Sequence, residues 1–333
     1  MFASYYPYSK LAWTLVIFDG ELGVRIFYVL SGFLISLLLL REGDKNGSIS
    51  LRRFYLRRIF RIFPIYFAYL AVLGVLSAAG LYSDSLSAWV GCLTFTRNMV
   101  GHSPPSATSH FWSLAVEEQF YIIWPVLVYT LRLWKRGSLY VGLLLVPIFV
   151  CPVIRCFFIS HGILTNFVER IFSPDSILAY ADSLAVGCLG AWIVHRATGA
   201  GKWIKSHSSG MFICFAVIVG GRWLQVSFGG HAVESLVPAF QAWGIMGCLS
   251  LSTKGGSPGY LFLNSKPMAT LGVLSYSIYV WHPLFLSGMM GPAFLDLTVY
   301  NWKFWIFPAL GVGAFSYYCF ELPLIGLRRK FRS

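Results

Sequence analysis

The sequence predicts an all-α membrane protein, a polytopic bundle of about nine transmembrane helices. Of the 333 residues, 57% are hydrophobic and only 12% are charged, whereas soluble domains usually carry about 25% charged residues. The charged residues cluster between long apolar runs, and the aromatic content of 17% suits belts of Trp and Tyr at the two membrane interfaces. We therefore expect residues 1–333 to form a single integral-membrane domain.

The predicted spans are apolar runs that approach the roughly 20 residues needed to cross a bilayer. They are placed at about Gly23–Leu40, Ile62–Leu81, His110–Arg132, Leu139–Ile159, Ile177–His195, Met211–Leu224, Ser235–Leu251, Met268–Met290 and Trp302–Phe320. The basic stretch Leu51–Phe63, which precedes the second span, is predicted to lie amphipathically along the membrane surface.

The distribution of basic residues predicts the orientation of the bundle. Of the 26 Lys and Arg residues, 19 fall on the side of the membrane that also holds the C-terminal tail, and five fall on the other side. Since cytoplasmic loops carry an excess of Lys and Arg, the tail is expected in the cytoplasm. Nine spans then place the N-terminus outside, whereas multi-span proteins more often begin inside, so we expect a helix to be missing ahead of Met1.

Composition also excludes several classes of function. Topology accounts for most of the net charge of +13, so it does not indicate nucleic-acid binding. The seven cysteines include no CxxC pair and mostly lie inside apolar runs, where they are expected to act as small hydrophobic residues. No spacing typical of a metal site is present, and we expect no metal.

The most informative stretch is His110–Pro125, at the head of the third span. At about 100° per residue, one narrow face of this helix carries His110, Ser113, Glu117 and Tyr121, and the opposite face is apolar. A polar stripe on a helix of membrane length is costly unless it lines a cavity or the interior of a bundle. The stretch therefore predicts one wall of a buried polar site.

Two further stretches each allow two interpretations. Arg58 and Arg61, with Arg57 beside them, either anchor the second span on its cytoplasmic side or form a clamp for a phosphorylated ligand, since guanidinium groups match phosphate geometry. Tyr279 and His282 share a face of the eighth span, which is either an interfacial aromatic belt or the lining of a site.

Three isolated polar positions complete the set of candidates. Asp182 is a lone carboxylate within the fifth span and is expected to pair with an arginine or a tyrosine. Glu321 ends the last span, where it either meets Arg58 or Arg61 or is an ordinary helix terminus. Arg25 stands near the outer edge of the first span, where it either snorkels to the surface or faces the site. The nearby Ser31-Gly32 pair predicts close helix packing.

With these residues identified, nearly the whole chain resembles membrane-bound acyltransferase family 3, the bacterial O-acetyltransferases of cell-surface sugars. The resemblance is carried by ordered motifs, namely Gly23–Ile35, Arg58-x-x-Arg61 before Pro64, Phe111-Trp112-Ser113-Leu114 with Glu117, Phe120, Tyr121 and Pro125, Ser275–Tyr279 with His282-Pro283, and Glu321-x-Pro323. It implies about ten spans in a bacterial inner membrane.

The resemblance also implies the reaction and its substrates. An acyl group, expected to be acetyl, would pass from cytosolic acyl-CoA to a carbohydrate hydroxyl at or beyond the outer face. Catalytic roles would fall to His110, Glu117 and His282, and contacts with the CoA phosphates to Arg57, Arg58, Arg61 and Glu321. Contacts with the acceptor would come from Ser113, Tyr121, Asp182, Tyr279 and Arg25.

Two departures from the family pattern bear on activity. Members open with a helix that carries an arginine and, about three turns later, a histidine taken as the base, and no such helix precedes Gly23. The odd number of spans favours truncation as the reason. The acid that family members carry after Gly-Val is Arg25 in this sequence. A catalytically degenerate member and a membrane transporter are therefore kept as alternatives.

Overall fold

The computed structural model describes residues 20–100, 106–161, 176–196, 231–252, 258–286 and 302–327, with four more between 217 and 221. Within these residues the chain forms helices and turns and no strand. In chain order the helices are α1 (Gly20–Asn46), α2 (Leu51–Ala78), α3 (Leu86–Leu93), α4 (Phe111–Thr130), α5 (Gly137–His161), α6 (Ile177–Arg196), α7 (His231–Ser252), α8 (Pro258–Leu263), α9 (Lys266–Trp281), α10 (Pro283–Leu286), α11 (Trp302–Ser316) and α12 (Leu322–Leu327). A π-helical segment, Tyr317–Glu321, joins α11 to α12.

Among the described residues, four helices are long and apolar enough to cross a membrane. They are α1, α2, the Gly137–Cys156 part of α5, and α6. The chain is therefore a helical membrane protein, while the count of nine spans stays a prediction. Helices α4, α7, α9 and α11 begin within a few residues of the predicted third, seventh, eighth and ninth spans. The predicted sixth span lies almost wholly outside the described residues, as does the basic end of the tail.

Helix α2 differs from its prediction. The expected surface segment Leu51–Phe63 and the second span form one continuous helix of 28 residues. The side chain of Ser50 caps its start by accepting a hydrogen bond from the Arg53 amide at 3.4 Å, and the helix continues through Pro64. At 1.5 Å per residue it is about 42 Å long, which exceeds a hydrocarbon core of about 30 Å. The arginines of its first turns can therefore stand beyond the hydrocarbon without a separate surface helix.

The described residues pack into two compact units, of which the first comprises residues up to 49 and residues 119–262. Its centre is the contact between α1 and α6. A Cβ atom on Gly32 would collide with the carbonyl oxygen of Leu184, and one on Gly187 would collide with that of Val29. The predicted close packing at Ser31-Gly32 is thus confirmed, and Gly187 supplies the matching small residue on the facing helix.

The second unit comprises residues 50–118 and the described residues from 263 onward. Its core is rich in aromatic residues, and Tyr66, Tyr69, Phe111 and Trp281 are all buried. The phenol of Tyr66 donates to the Cys92 carbonyl at 2.8 Å. The Trp281 indole donates to the Ser316 hydroxyl at 2.9 Å. Tyr66 and Trp281 therefore fill the core while their polar atoms are satisfied inside it.

We predict that Gly187→Ala destabilises the protein. The added methyl group collides with the Val29 carbonyl, so α1 and α6 must separate, and overpacking of this kind costs about 1–3 kcal/mol. Thermal unfolding of the purified protein measures the effect. Gly142→Ala on α5 is the control, because its Cβ meets nothing within 4 Å and alanine favours helix more than glycine. A melting temperature for Gly187→Ala at or above the wild-type value would contradict the packing.

Candidate active site

The candidate site is built around His110, which ends the loop before α4. The sequence predicted His110 inside the helix, but α4 begins at Phe111 and His110 lies in the preceding turn. Its carbonyl accepts hydrogen bonds from the hydroxyls of Ser113 at 3.2 Å and Tyr279 at 2.8 Å. The Tyr69 hydroxyl donates to the Ala107 carbonyl at 2.8 Å and fixes the same loop. Distant segments of the second unit thus hold His110 in place.

The imidazole of His110 lies beside a second imidazole. The ring centroids of His110 and His282 are 5.5 Å apart, and the two planes are nearly perpendicular. Both ring nitrogens of His110 are buried and make no well-aligned hydrogen bond among the described residues, although the backbone carbonyls of Ala107 and Val280 act on the imidazole. A buried polar atom of this kind needs an acceptor or donor from elsewhere. His110 is therefore available to hydrogen-bond a substrate.

The tautomer of His282 follows from its hydrogen bond. Its Nδ1 lies 2.6 Å from the carbonyl oxygen of Tyr279. A carbonyl only accepts hydrogen bonds, so Nδ1 carries the proton and the Nε2 of the neutral ring keeps its lone pair. His282 is thus arranged to take up a proton at Nε2.

Ser113 forms hydrogen bonds within this site. Its hydroxyl contacts the phenol of Tyr279 and the carbonyl of His110. The hydroxyls of Ser113 and Tyr279 form a polar edge beside the pair of imidazoles.

Two carboxylates follow on the same helix. Glu117 and Glu118 are both buried, at 3% and 8% exposure. The Oε1 atom of Glu118 has no hydrogen-bond partner among the described residues. The charges of Arg58 and Glu117 both act on Glu118. The sequence analysis missed Glu118 because a residue next to Glu117 lies about 100° away from the predicted stripe.

The predicted clamp residues lie on the first turns of α2 and near the end of the chain. Arg57 and Arg58 are half-buried and Arg61 is exposed. The Arg58 guanidinium stands 5.9 Å from the ring centroid of Phe54. Glu321 accepts a hydrogen bond from the Ser277 hydroxyl and feels the charge of Arg61. Ser277 and its neighbour Tyr276, whose phenol donates to the Ile62 carbonyl at 2.9 Å, were absent from the predicted site.

The remaining predicted site residues belong to the first unit. Asp182 is fully buried and forms an ion pair with Arg155 at 2.5 Å, as its position in an apolar span predicted. Tyr121 donates to the Ser31 hydroxyl at 3.2 Å. The snorkelling interpretation of Arg25 was wrong, because this residue is only 4% exposed.

A polar cluster that sequence analysis missed supports the loop of His110. The Asp84 carboxylate accepts hydrogen bonds from Tyr82 at 2.7 Å, from Thr108 at 2.6 Å and from the Ser85 amide at 2.8 Å. Arg97 donates to Thr108 at 3.3 Å. Partial burial alone would raise the pKa of Asp84, but these hydrogen bonds outweigh it and hold the pKa below the ordinary value. No local pattern links Asp84 to Thr108 in the sequence.

Within the described residues, no three His, Cys, Asp or Glu side chains come together as a metal site. The ionisable groups of the second unit include the two imidazoles, the neighbouring carboxyl groups of Glu117 and Glu118, and the arginines of α2. Imidazoles and carboxylates are the common groups of general acid–base catalysis, and arginines bind anionic ligands.

Comparison with known protein families decides the class. The model of an acyltransferase domain, acyltransferase family 3, matches residues 1–325. The chain belongs to this acyltransferase family. The resemblance that the motifs indicated is thereby confirmed, and the chemistry of the family is acyl transfer to oxygen.

Two curated relatives of this chain are O-acetyltransferases by name. The peptidoglycan O-acetyltransferase OatA of Listeria monocytogenes serovar 1/2a is 27% identical over 292 residues, which cover 79% of this chain and 44% of the relative. The O-acetyltransferase OatA of Staphylococcus aureus strain NCTC 8325 is 27% identical over 286 residues, covering 79% of this chain and 45% of the relative. The chain thus spans less than half the length of these relatives. No solved structure matches it.

We predict that Asp84→Asn destabilises the protein at neutral pH and much less in acid. Because the pKa of Asp84 is lowered in the folded state, its contribution is present above the ordinary value of 3.8 and is lost as the pH falls through the lower folded value. Thermal unfolding of wild type and variant over a pH series from 7 down to about 2 measures the difference.

The partner residue gives the control for this prediction. Thr108→Val removes the donor at 2.6 Å, so its effect and that of Asp84→Asn should be less than additive in the double variant. A difference between wild type and Asp84→Asn that grows towards acid would contradict the assignment.

Proposed function

We propose that the chain transfers an acetyl group from acyl-CoA, acetyl-CoA in particular, to a hydroxyl of a bacterial cell-wall carbohydrate, with residues 1–333 acting as one domain. The observation that carries this proposal is the pair of imidazoles at 5.5 Å, one of which makes no well-aligned hydrogen bond through either ring nitrogen in the described part of the chain. It stands in a member of an acyltransferase family. The Listeria relative is named a peptidoglycan O-acetyltransferase, which supports peptidoglycan as the kind of acceptor.

In this proposal the two histidines divide the proton chemistry. Nε2 of His282 takes the proton of the acceptor hydroxyl while its oxygen bonds to the thioester carbonyl carbon. An N–H of His110 hydrogen-bonds the carbonyl oxygen as it becomes negative, as preorganised donors do in acyl transfer. The C–S bond then breaks, and the His282 imidazolium returns its proton to the sulfur. The products are the acetyl ester and the CoA thiol.

The hydroxyls and carboxylates of the second unit have supporting roles. Ser113 and Tyr279 would contact the acceptor from the edge that they form beside the imidazoles. Glu117 would orient a histidine or bind an acceptor hydroxyl, and Glu118, whose Oε1 has no partner among the described residues, would accept a hydrogen bond from the same sugar. Full activity of a Glu117→Gln variant would contradict its role.

The donor would bind at the arginines of α2. Arg57, Arg58 and Arg61 lie within two turns of a helix that is longer than the hydrocarbon core, so their guanidinium groups can meet the phosphates of CoA in water. Glu321 would keep Arg61 in position through its charge. The excess of Lys and Arg on this side supports a cytoplasmic C-terminus and a bacterial inner-membrane location.

Two predicted acceptor contacts receive a different assignment. Asp182 is paired with Arg155 at 2.5 Å and Tyr121 donates to Ser31. We assign both to holding the first unit together.

Family membership favours the enzyme over the transporter alternative.

We predict that His282→Gln lowers kcat by about 100-fold or more, since general-base catalysis typically contributes 10²–10⁴-fold. His110→Gln should lower kcat by a similar amount if its N–H meets the developing oxyanion. Transfer of labelled acetyl from acetyl-CoA to peptidoglycan fragments, by membranes that hold the full chain, measures both. His195→Gln is the control, because His195 is bonded to Asp44 at 2.7 Å in the first unit. A wild-type kcat in His282→Gln would contradict the assignment of His282 as the general base.

We predict that Arg58→Ala raises KM for acetyl-CoA by about ten- to a hundredfold, with a smaller change in kcat. Loss of a charge-assisted hydrogen bond to a phosphate costs about 1.5–3 kcal/mol, and it affects binding of the donor rather than proton transfer. Arg52→Ala is the control, since Arg52 is exposed on the same helix. Acetyl phosphate, which lacks the CoA part, provides a second donor. If it supports transfer and acetyl-CoA does not, the donor assignment is wrong.

A further inference from the structure

The first unit contains a buried cation whose pairing is incomplete. Arg25 lies in the second turn of α1 and is only 4% exposed. Its Nη2 is 2.5 Å from Oε1 of Glu21, one turn earlier. Its Nη1 is buried and has no hydrogen-bond partner among the described residues. A buried guanidinium N–H without an acceptor is costly.

The buried carboxylate near Arg25 is already committed to another residue. Asp182 is fully buried, and its Oδ2 lies 2.5 Å from Arg155 while its Oδ1 accepts from the Ser183 amide at 2.8 Å. The charge of Asp182 acts on Arg25, but no direct hydrogen bond joins the two. Arg25 instead stands 5.1 Å from the centroid of the Tyr180 ring, a cation–π contact that orients the guanidinium.

The one carboxylate that Arg25 does contact is replaceable. The side chain of Glu21 is 44% exposed and that of Arg25 only 5%, so the carboxylate is the half of this pair that water reaches. Water can therefore solvate Glu21 when another anion takes its place at the buried guanidinium. The edge of the guanidinium formed by Nη1 and Nη2 then matches the two oxygens of a carboxylate or phosphate.

We propose that Arg25 anchors a binding site for an oxyanion and that Glu21 competes with the ligand for it. The oxyanion bonds Nη1 and Nη2 together, which satisfies Nη1 and replaces the pair with Glu21. Two sources have this chemistry, a sugar acid and the phosphate group of an anionic lipid. The sugar source rests on the proposed function, because it makes the acceptor an acidic saccharide, whereas binding of an oxyanion at Arg25 does not depend on catalysis.

The test is a binding titration of the full chain in phosphatidylcholine nanodiscs, followed by ligand-observed NMR. The probes are glucuronic acid, glucose 6-phosphate and glucose, which share a pyranose ring and differ in the anionic group. Wild type should bind the two acidic sugars at least tenfold more tightly than glucose. Arg25→Gln should lose about ten- to a hundredfold of that affinity, as expected for charge-assisted hydrogen bonds. Glu21→Gln should bind the acidic sugars more tightly than wild type because the competitor is removed.

Further experiments distinguish the two sources of the oxyanion and control for misfolding of the variants. Arg41→Gln removes an exposed arginine from the other end of the same helix and should bind like wild type. Phosphatidylglycerol nanodiscs test the lipid source, since an anionic headgroup at Arg25 would displace the sugars from wild type but have no effect in Arg25→Gln. The opposite change in Glu21→Gln supports the site even if Arg25→Gln does not fold. Equal binding of glucose and glucuronic acid by wild type, or weaker acidic-sugar binding by Glu21→Gln, overturns the proposal whether or not acetyl transfer is observed.

Discussion

The structure depends on one constraint, which is that a polar atom inside an apolar helical bundle must find a partner within the protein. The second unit meets it with long side chains that reach backbone carbonyls. Tyr66, Tyr69 and Tyr276 donate to the carbonyls of residues 92, 107 and 62, each at 2.8–2.9 Å. Each bond joins segments that are distant in sequence, so satisfying the polar atom also fixes the tertiary structure.

Because most buried polar atoms have partners, the buried side-chain atoms of the described residues that lack a hydrogen bond are informative. They are Nδ1 and Nε2 of His110, Oε1 of Glu118, Nη1 of Arg25 and Nε1 of Trp134. Trp134 differs in kind from the other three residues, because its indole is neutral and packs against the Cα of Gly43. The other three are ionisable, and burial without a partner is most costly for ionisable groups. Such costs persist where the group serves a substrate, which is why these three residues carry the functional proposals.

The sequence predicts the helices better than it predicts the site. Apolar runs place α1, α4, α6 and α7 closely because span length and hydropathy are properties of a local segment. Helical periodicity likewise finds Ser113 and Glu117. It cannot find the partner of Ser113, which is Tyr279, 166 positions away. Periodicity also assigns Tyr121 to the same polar face of α4 as Ser113 and Glu117. Residues up to Glu118 belong to the second unit, however, and Tyr121 belongs to the first.

The same limit explains Arg25 and Asp84. From sequence, an arginine near the end of a span fits snorkelling equally well, and only the structure shows that Arg25 is buried with the Tyr180 ring of α6 beside it. The resemblance to the family implies an acid at this position, where this chain carries Arg25. The nearby Asp182 is paired with Arg155, although its charge still acts on Arg25. In the binding site proposed for Arg25, the positive charge of the guanidinium favours a ligand that bears negative charge, which would take the place of Glu21.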